Sequence, residues 1–164
     1  MPISKAILST LLLLSLACAS EQPVSEGIQS ELQRTIMNAN VAVTRAARTN
    51  DAKVMSQHIS GELFEALSQS IERAKKRGTY TVSELQDLRW GKMRVEGDSA
   101  EVVTTERWRH THYAVGTDKC VMVFPASDLV QTYHLEKGSR GWRITKSVGD
   151  PGSPRPKSSP CPGK

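Results

Sequence analysis

The sequence predicts one α+β domain over residues 25–148, with N-terminal helices packed on a curved antiparallel sheet in a cone-like arrangement. Three observations carry this. Apolar residues recur every three or four positions as far as Gly78 and largely every second position after it. Gly97-Asp98 between alternating apolar residues is a hairpin signature, and Gly138-Ser139-Arg140-Gly141 is a second. No internal repeat divides the segment. Helices followed by a meandering sheet leave a hollow of ligand or peptide size.

Ser25 opens a helix whose apolar stripe is Ile28, Leu32, Ile36, Ala39, Val43 and Ala47. Thr49-Asn50-Asp51 interrupts it, and Asp51 caps a short helix carrying Val54, Met55 and Ile59. Ser60-Gly61 starts a third stripe, with Leu63, Phe64, Leu67, Ile71 and Ala74, that Gly78 ends after Lys75-Lys76-Arg77. Tyr80-Thr81-Val82 reads as a brief extended piece and Ser83 as the start of a helical turn around Leu85 and Leu88. Residues 90–95 are the first principal strand and 100–113 the second, with Ala100, Val102, Thr104, Glu106 and Trp108 on its inward face unless a bulge exchanges the faces. Residues 114–128 read as an irregular excursion, and 129–137 with 142–148 as the closing hairpin, where Tyr133, Leu135, Trp142 and Ile144 pack on the helices. Five prolines after Gly149 give a Pro-rich, disordered tail over 149–164.

The address is written at the other end. Lys5 precedes an apolar run over 6–17, too short to span a bilayer and matched to a signal peptide, so the protein is expected to be exported. Two processing routes are open. Ala17 before Cys18 and Ala19-Ser20 after it fit a bacterial lipoprotein whose mature chain starts at a lipidated Cys18, although Ser15 stands where a leucine is usual. Cleavage after Ala17-Cys18-Ala19 would instead discard residues 1–19. A cysteine ending such a leader is otherwise hard to explain, which favours a lipid anchor, with 20–24 as tether. Both routes keep Cys120 and Cys161, expected to form a disulfide that staples the tail and closes a loop worth about 4 kcal/mol in the simplest entropic treatment; two free thiols are the alternative.

The formal charge of +5 becomes +4 when the leader takes Lys5 and no acid with it. So small a basic excess, without interleaved aromatics, argues against a nucleic-acid partner.

Ser60-Gly61-Glu62-Leu63 at a helix start, Gly78-x-Tyr80, Leu85-x-x-Leu88, Gly97-Asp98-x-Ala100-x-Val102, Thr105-Glu106-x-Trp108, Tyr133-x-Leu135 and Gly141-Trp142-x-Ile144 form an ordered series. In order and spacing it resembles the intermembrane-space (IMS) domain of plastid division proteins and its bacterial relatives, over about 41–148. The resemblance implies a nuclear-transport-factor-2-like cone. Plastid members use the domain to bind a partner protein's tail, and the wider superfamily holds both enzymes and binding modules. The leader, the 114–128 excursion and the tail lie outside it.

No residue cluster declares a chemistry. His110 and His112 leave one strand face about 7 Å apart and could chelate a metal with His134 or Glu106 as third ligand, but without a metal-binding motif they read as solvated histidines, and neither metal nor cofactor is expected. Glu106 is the anomaly, since an inward carboxylate must be paired, neutral or functional. An ion pair with Arg89 or Arg143, a reversal of faces, and a ligand or general-base role are all open. The sheet's bend is expected to leave a concave binding groove at Glu106, Trp108, His110 and Tyr133 for a protein or peptide partner. The leading expectation is a non-catalytic, membrane-anchored binding module of the cell envelope, for peptide, protein or small ligand. A cone-type isomerase or hydrolase using Glu106 and a structural lipoprotein without ligand are the alternatives.

Overall fold

A computed structural model describes residues 23–154 and 156–162; the expected leader, Cys18 and most of the expected tether lie outside them. Helix α1 spans Glu26–Thr49 and α2 spans Gly61–Lys76, joined through a 3-10 turn, Ala52–Met55. Four strands follow, β1 (Thr79–Glu96), β2 (Ser99–Ala114), β3 (Cys120–Gly138) and β4 (Gly141–Gly149), paired antiparallel in chain order as one open sheet. The expected α+β architecture of helices on a curved antiparallel sheet is the one found.

The helix boundaries follow the local chemistry. The Ser25 hydroxyl accepts from the Ile28 N–H, and Asn50 ends α1 in the left-handed conformation (φ 53°) that a short amide side chain tolerates. Asp51 accepts from Lys53 N–H at 3.0 Å to start the 3-10 turn. The buried face of α1 is Leu32, Ile36, Ala39, Ala42 and Ala46, so the stripe turns by one position towards its end. Gly78 (φ 67°) follows α2 and its carbonyl accepts from Val115, tying the helix end to the β2–β3 turn.

Two segments differ from expectation. Leu85 and Leu88 lie in β1, one continuous strand of 18 residues rather than a helical turn; the three-residue apolar spacing arises because a bulge at Gln86 inserts a residue between them. A second bulge at Gly91-Lys92 brings β1 so close to β2 that a Cβ on Gly91 would stand 3.0 Å from the Val103 carbonyl oxygen. The 114–128 excursion is likewise mostly strand: β3 begins at Cys120, and Pro125 falls in a bulge between Phe124 and Ser127 where its missing N–H costs no ladder bond. These bulges let strands of 16 to 19 residues bend around the helices.

The interior is solid at one end. Leu32, Ile36, Met55, Ile59, Val102, Leu135, Trp142 and Ile144 belong to one buried cluster beneath α1 and the 3-10 turn. Ile59 and Ile144 form a short parallel bridge, and the Arg143 guanidinium donates to the carbonyls of Ser56 (2.9 Å) and Ile59 (3.0 Å).

β4 ends opposite Gln131, leaving the first half of β3 with an open edge. The proline-rich segment, expected to be disordered, meets that edge at specific points. Asp150 N–H donates to the Val130 carbonyl and Val130 N–H to the Ser153 hydroxyl, Val123 and Ser159 exchange both backbone bonds, and Cys161 is joined to Cys120 by a disulfide. Replacing Cys161 by serine is expected to lower stability by about 2–4 kcal/mol and to remove hydrogen-exchange protection from the Val123 and Val130 amides while sparing Ile144. Unchanged protection at Val123 would show that the tail holds without its bridge.

Candidate functional site

The inward face of β2 runs in phase from Ala100 through Val102 and Thr104 to Glu106, which is 1 % exposed, so no reversal of faces takes the carboxylate outward. Neither arginine considered for it is its partner. Arg89 pairs with Asp87 and Asp128 on the outside of the sheet, and Arg143 is spent on the backbone of the 3-10 segment. Glu106 is held by three uncharged donors. Oε1 accepts from the Thr104 hydroxyl (3.0 Å) and the Tyr133 hydroxyl (2.8 Å), and Oε2 accepts from the Trp108 indole N–H at 2.5 Å. Thr104 and Trp108 flank Glu106 at two-residue spacing on the same strand face, while Tyr133 reaches it from β3.

Burial pushes the Tyr133 hydroxyl far above its ordinary range, and the Glu106 charge and hydrogen bond add to that, so it stays a proton donor. Its one proton is engaged by Glu106. The Asn40 side chain lies 3.5 Å away through Oδ1, with Nδ2 buried and without an acceptor; turning the amide over would give the phenolic oxygen a donor and satisfy both groups.

Glu106, Trp108 and Tyr133 form the floor of a cavity of about 260 Å³. α1 supplies Asn40 and Val43, α2 supplies Leu63 and Leu67, β1 supplies Ser83, and Leu129 and Gln131 come from β3. Leu63 and Leu67 are only half-buried because they pack against the edge of the core cluster while also roofing this hollow. All four residues expected to form a groove, Glu106, Trp108, His110 and Tyr133, line it together. Glu106 and Tyr133 (6 % exposed) are its sealed floor, whereas Trp108 and His110 are more open and stack at 5.9 Å, 11° apart in plane.

His110 Nδ1 bonds the Ser83 hydroxyl at 2.8 Å, opposite which it is registered on β1. Burial, and secondarily His112, lower its pKa below the usual histidine value, which keeps the ring neutral near pH 7 and its Nε2 a neutral donor or acceptor, according to tautomer. His112 packs against Phe124 and is also lowered, by burial and then by Arg77. His134 lies beside Glu101, with 3.7 Å between Nδ1 and Oε2, and Glu106 is engaged elsewhere; among the described residues no three His, Cys, Asp or Glu side chains are grouped to hold a metal.

Sequence reasoning missed Asn40 and Ser83. Asn40 was visible as an amide beside the stripe position Ala39; Ser83 required the β1–β2 register, which the helical reading of that segment concealed.

The His110 shift has a consequence for stability. In the unfolded chain the ring titrates near 6.5 and in the folded protein lower, so as pH falls through about 6.5 the unfolded state binds the proton first and stability drops. The urea midpoint is expected to fall between pH 7.5 and 5.5, and less so in His110→Gln; an NMR titration placing His110 above 6.5 would contradict this.

No protein-family model matches the chain, and no curated protein does. Solved structures do match. The intermembrane-space region of the chloroplast protein ARC6 aligns with TM-score 0.65 at 13% identity, over 77% of this chain and 98% of that one. A type 2 hexachlorocyclohexane dehydrochlorinase, LinA, aligns with TM-score 0.57 at 12% identity, over 85% and 95% of the two chains. A periplasmic fragment of TraM aligns with TM-score 0.52 at 11% identity, over 79% and 98%. Identities this low establish the fold alone, and one fold here serves a dehydrochlorinase and an intermembrane-space region alike. The fold is the cone-like α+β fold of the intermembrane-space region, as the sequence resemblance implied.

Proposed function

We propose that this protein is an exported, non-catalytic binding module whose cone takes a small, largely apolar ligand bearing one polar group. The observation that carries this reading is the state of Glu106: both oxygens already accept from fixed donors at 2.5–3.0 Å and the group is 1 % exposed, so three of its roughly four acceptor sites are taken and it organises the cavity floor. Apolar walls from Val43, Leu63, Leu67 and Leu129 bury the ligand's body, and His110 Nε2 or Gln131 meets its polar end. At about 260 Å³ the hollow suits a small molecule, or a single side chain of a partner peptide, better than an extended peptide.

The Leu63→Trp variant fills the roof and tests the assignment. A small-molecule panel read by thermal shift and native mass spectrometry should yield a ligand that raises the wild-type melting temperature by several degrees, leaves Leu63→Trp unshifted and is recovered chemically unchanged. A ligand recovered as product would favour the isomerase or hydrolase alternative. Ligands that stabilise both proteins equally would move the site out of the cavity.

The Cys120–Cys161 bridge supports export to an oxidising compartment, because cytosolic thiol pools keep such pairs reduced. Among the described residues no helix is long and apolar enough to cross a membrane. We assign membrane attachment to lipid on Cys18, because a cysteine ending an apolar leader is otherwise hard to explain and the mature charge of +4 is too small to replace an anchor. Cys18→Ser should shift the protein from the membrane to the soluble fraction; an intact mass beginning at Ser20 in the wild type would instead establish simple cleavage.

A further inference from the structure

A second concavity, which shares no lining residue with the first, has a different chemistry. It is a cleft of about 560 Å³ between one face of α1 (Glu31, Arg34, Asn38), residues 57–58, and the β3–β4 turn with Lys137, Arg140 and Trp142. Arginine and lysine outnumber acids there by two before His58 is counted. Glu31 is engaged by Lys137, whose Nζ lies 3.8 Å from its carboxylate and 5.6 Å from the centre of the Trp142 ring. Among the described residues Arg34 and Arg140 have no hydrogen bond or ion pair. Trp142 is 7 % exposed, and its indole N–H is buried without an acceptor.

We propose that this cleft binds a phosphate group. Arg34 and Arg140 come from separate walls, each a planar fork of N–H donors. A carboxylate satisfies one such fork. A phosphate has three or more oxygens and can take one fork from each wall while a further oxygen accepts from the Lys137 ammonium, which stands over the Trp142 ring. The cleft is larger than a bare phosphate, so an organic phosphate is accommodated, either a soluble phosphomonoester or the headgroup of an anionic phospholipid.

The test uses the full chain carrying Cys18→Ser, so that no lipid anchor contributes. Inorganic phosphate, glycerol 3-phosphate and acetate are titrated at fixed ionic strength while the indole N–H resonances are followed. The two phosphates should move the Trp142 signal saturably and bind at least tenfold more tightly than acetate. The surface variant Arg34→Gln/Arg140→Gln should weaken phosphate binding at least tenfold, with Arg48→Gln, outside the cleft on the same helix, unchanged. Sedimentation with phosphatidylglycerol vesicles, against phosphatidylcholine vesicles, separates the two sources: binding lost in the double variant identifies a lipid headgroup, and binding of glycerol 3-phosphate alone identifies a soluble ligand. Equal affinity for acetate, or phosphate binding that survives the double substitution, would overturn the proposal. Leu63→Trp should leave phosphate binding intact, which keeps this result separate from the cavity.

Discussion

The arrangement of the interior depends on one buried carboxylate. Glu106 sits at the boundary where the solid core of the cone gives way to the hollow, and its hydrogen bonds reach Thr104 and Trp108 along β2 and Tyr133 across on β3. An inward carboxyl without partners would be too costly to keep. With three donors it becomes a clamp that fixes the direction of two large aromatic side chains, and those aromatics shape the cavity floor. The same interaction ties the sheet's register to the site, because a one-residue slip of β2 would turn Thr104, Glu106 and Trp108 outward together.

Curvature does the rest. The bulges at Gln86, Gly91-Lys92 and Pro125 divide long strands into segments that wrap the helices, and so separate the packed end from the open end. That shape leaves half of β3 without a neighbour. Backbone bonds to Asp150, Ser153 and Ser159 and the Cys120–Cys161 bridge cover the edge, a protection against strand pairing between molecules. The tail thus contributes to the sheet without a core of its own.

What could be read in the sequence was local. Ser25, Asp51 and Gly78 mark element ends through capping chemistry that acts over a few residues, and the two hairpin turns declare themselves in the same way. Bulges hid the remainder. Leu85 and Leu88 mimic helical spacing only because Gln86 is extra, and Phe124-Pro125 looks like a break unless the partner strand is known. Glu106, Trp108, His110 and Tyr133 were identifiable because each is a polar or aromatic residue on a face that should be apolar. Asn40 and Ser83 enter the site through contacts across 93 and 27 residues, which no local pattern encodes.

That Glu106 is the organising acceptor of the floor and Tyr133 its donor can be measured by a double-mutant cycle of Glu106→Gln and Tyr133→Phe in chemical denaturation. A glutamine presents an amide N–H₂ to one of two sets of donors, so Glu106→Gln should cost about 1–3 kcal/mol in the wild-type background. With Tyr133→Phe one of those donors is gone, the amide can turn towards the vacated position, and the cost should fall by on the order of 1 kcal/mol. Costs equal in the two backgrounds to within about 0.3 kcal/mol would mean that the two side chains do not interact and that Glu106 does not organise the floor through Tyr133.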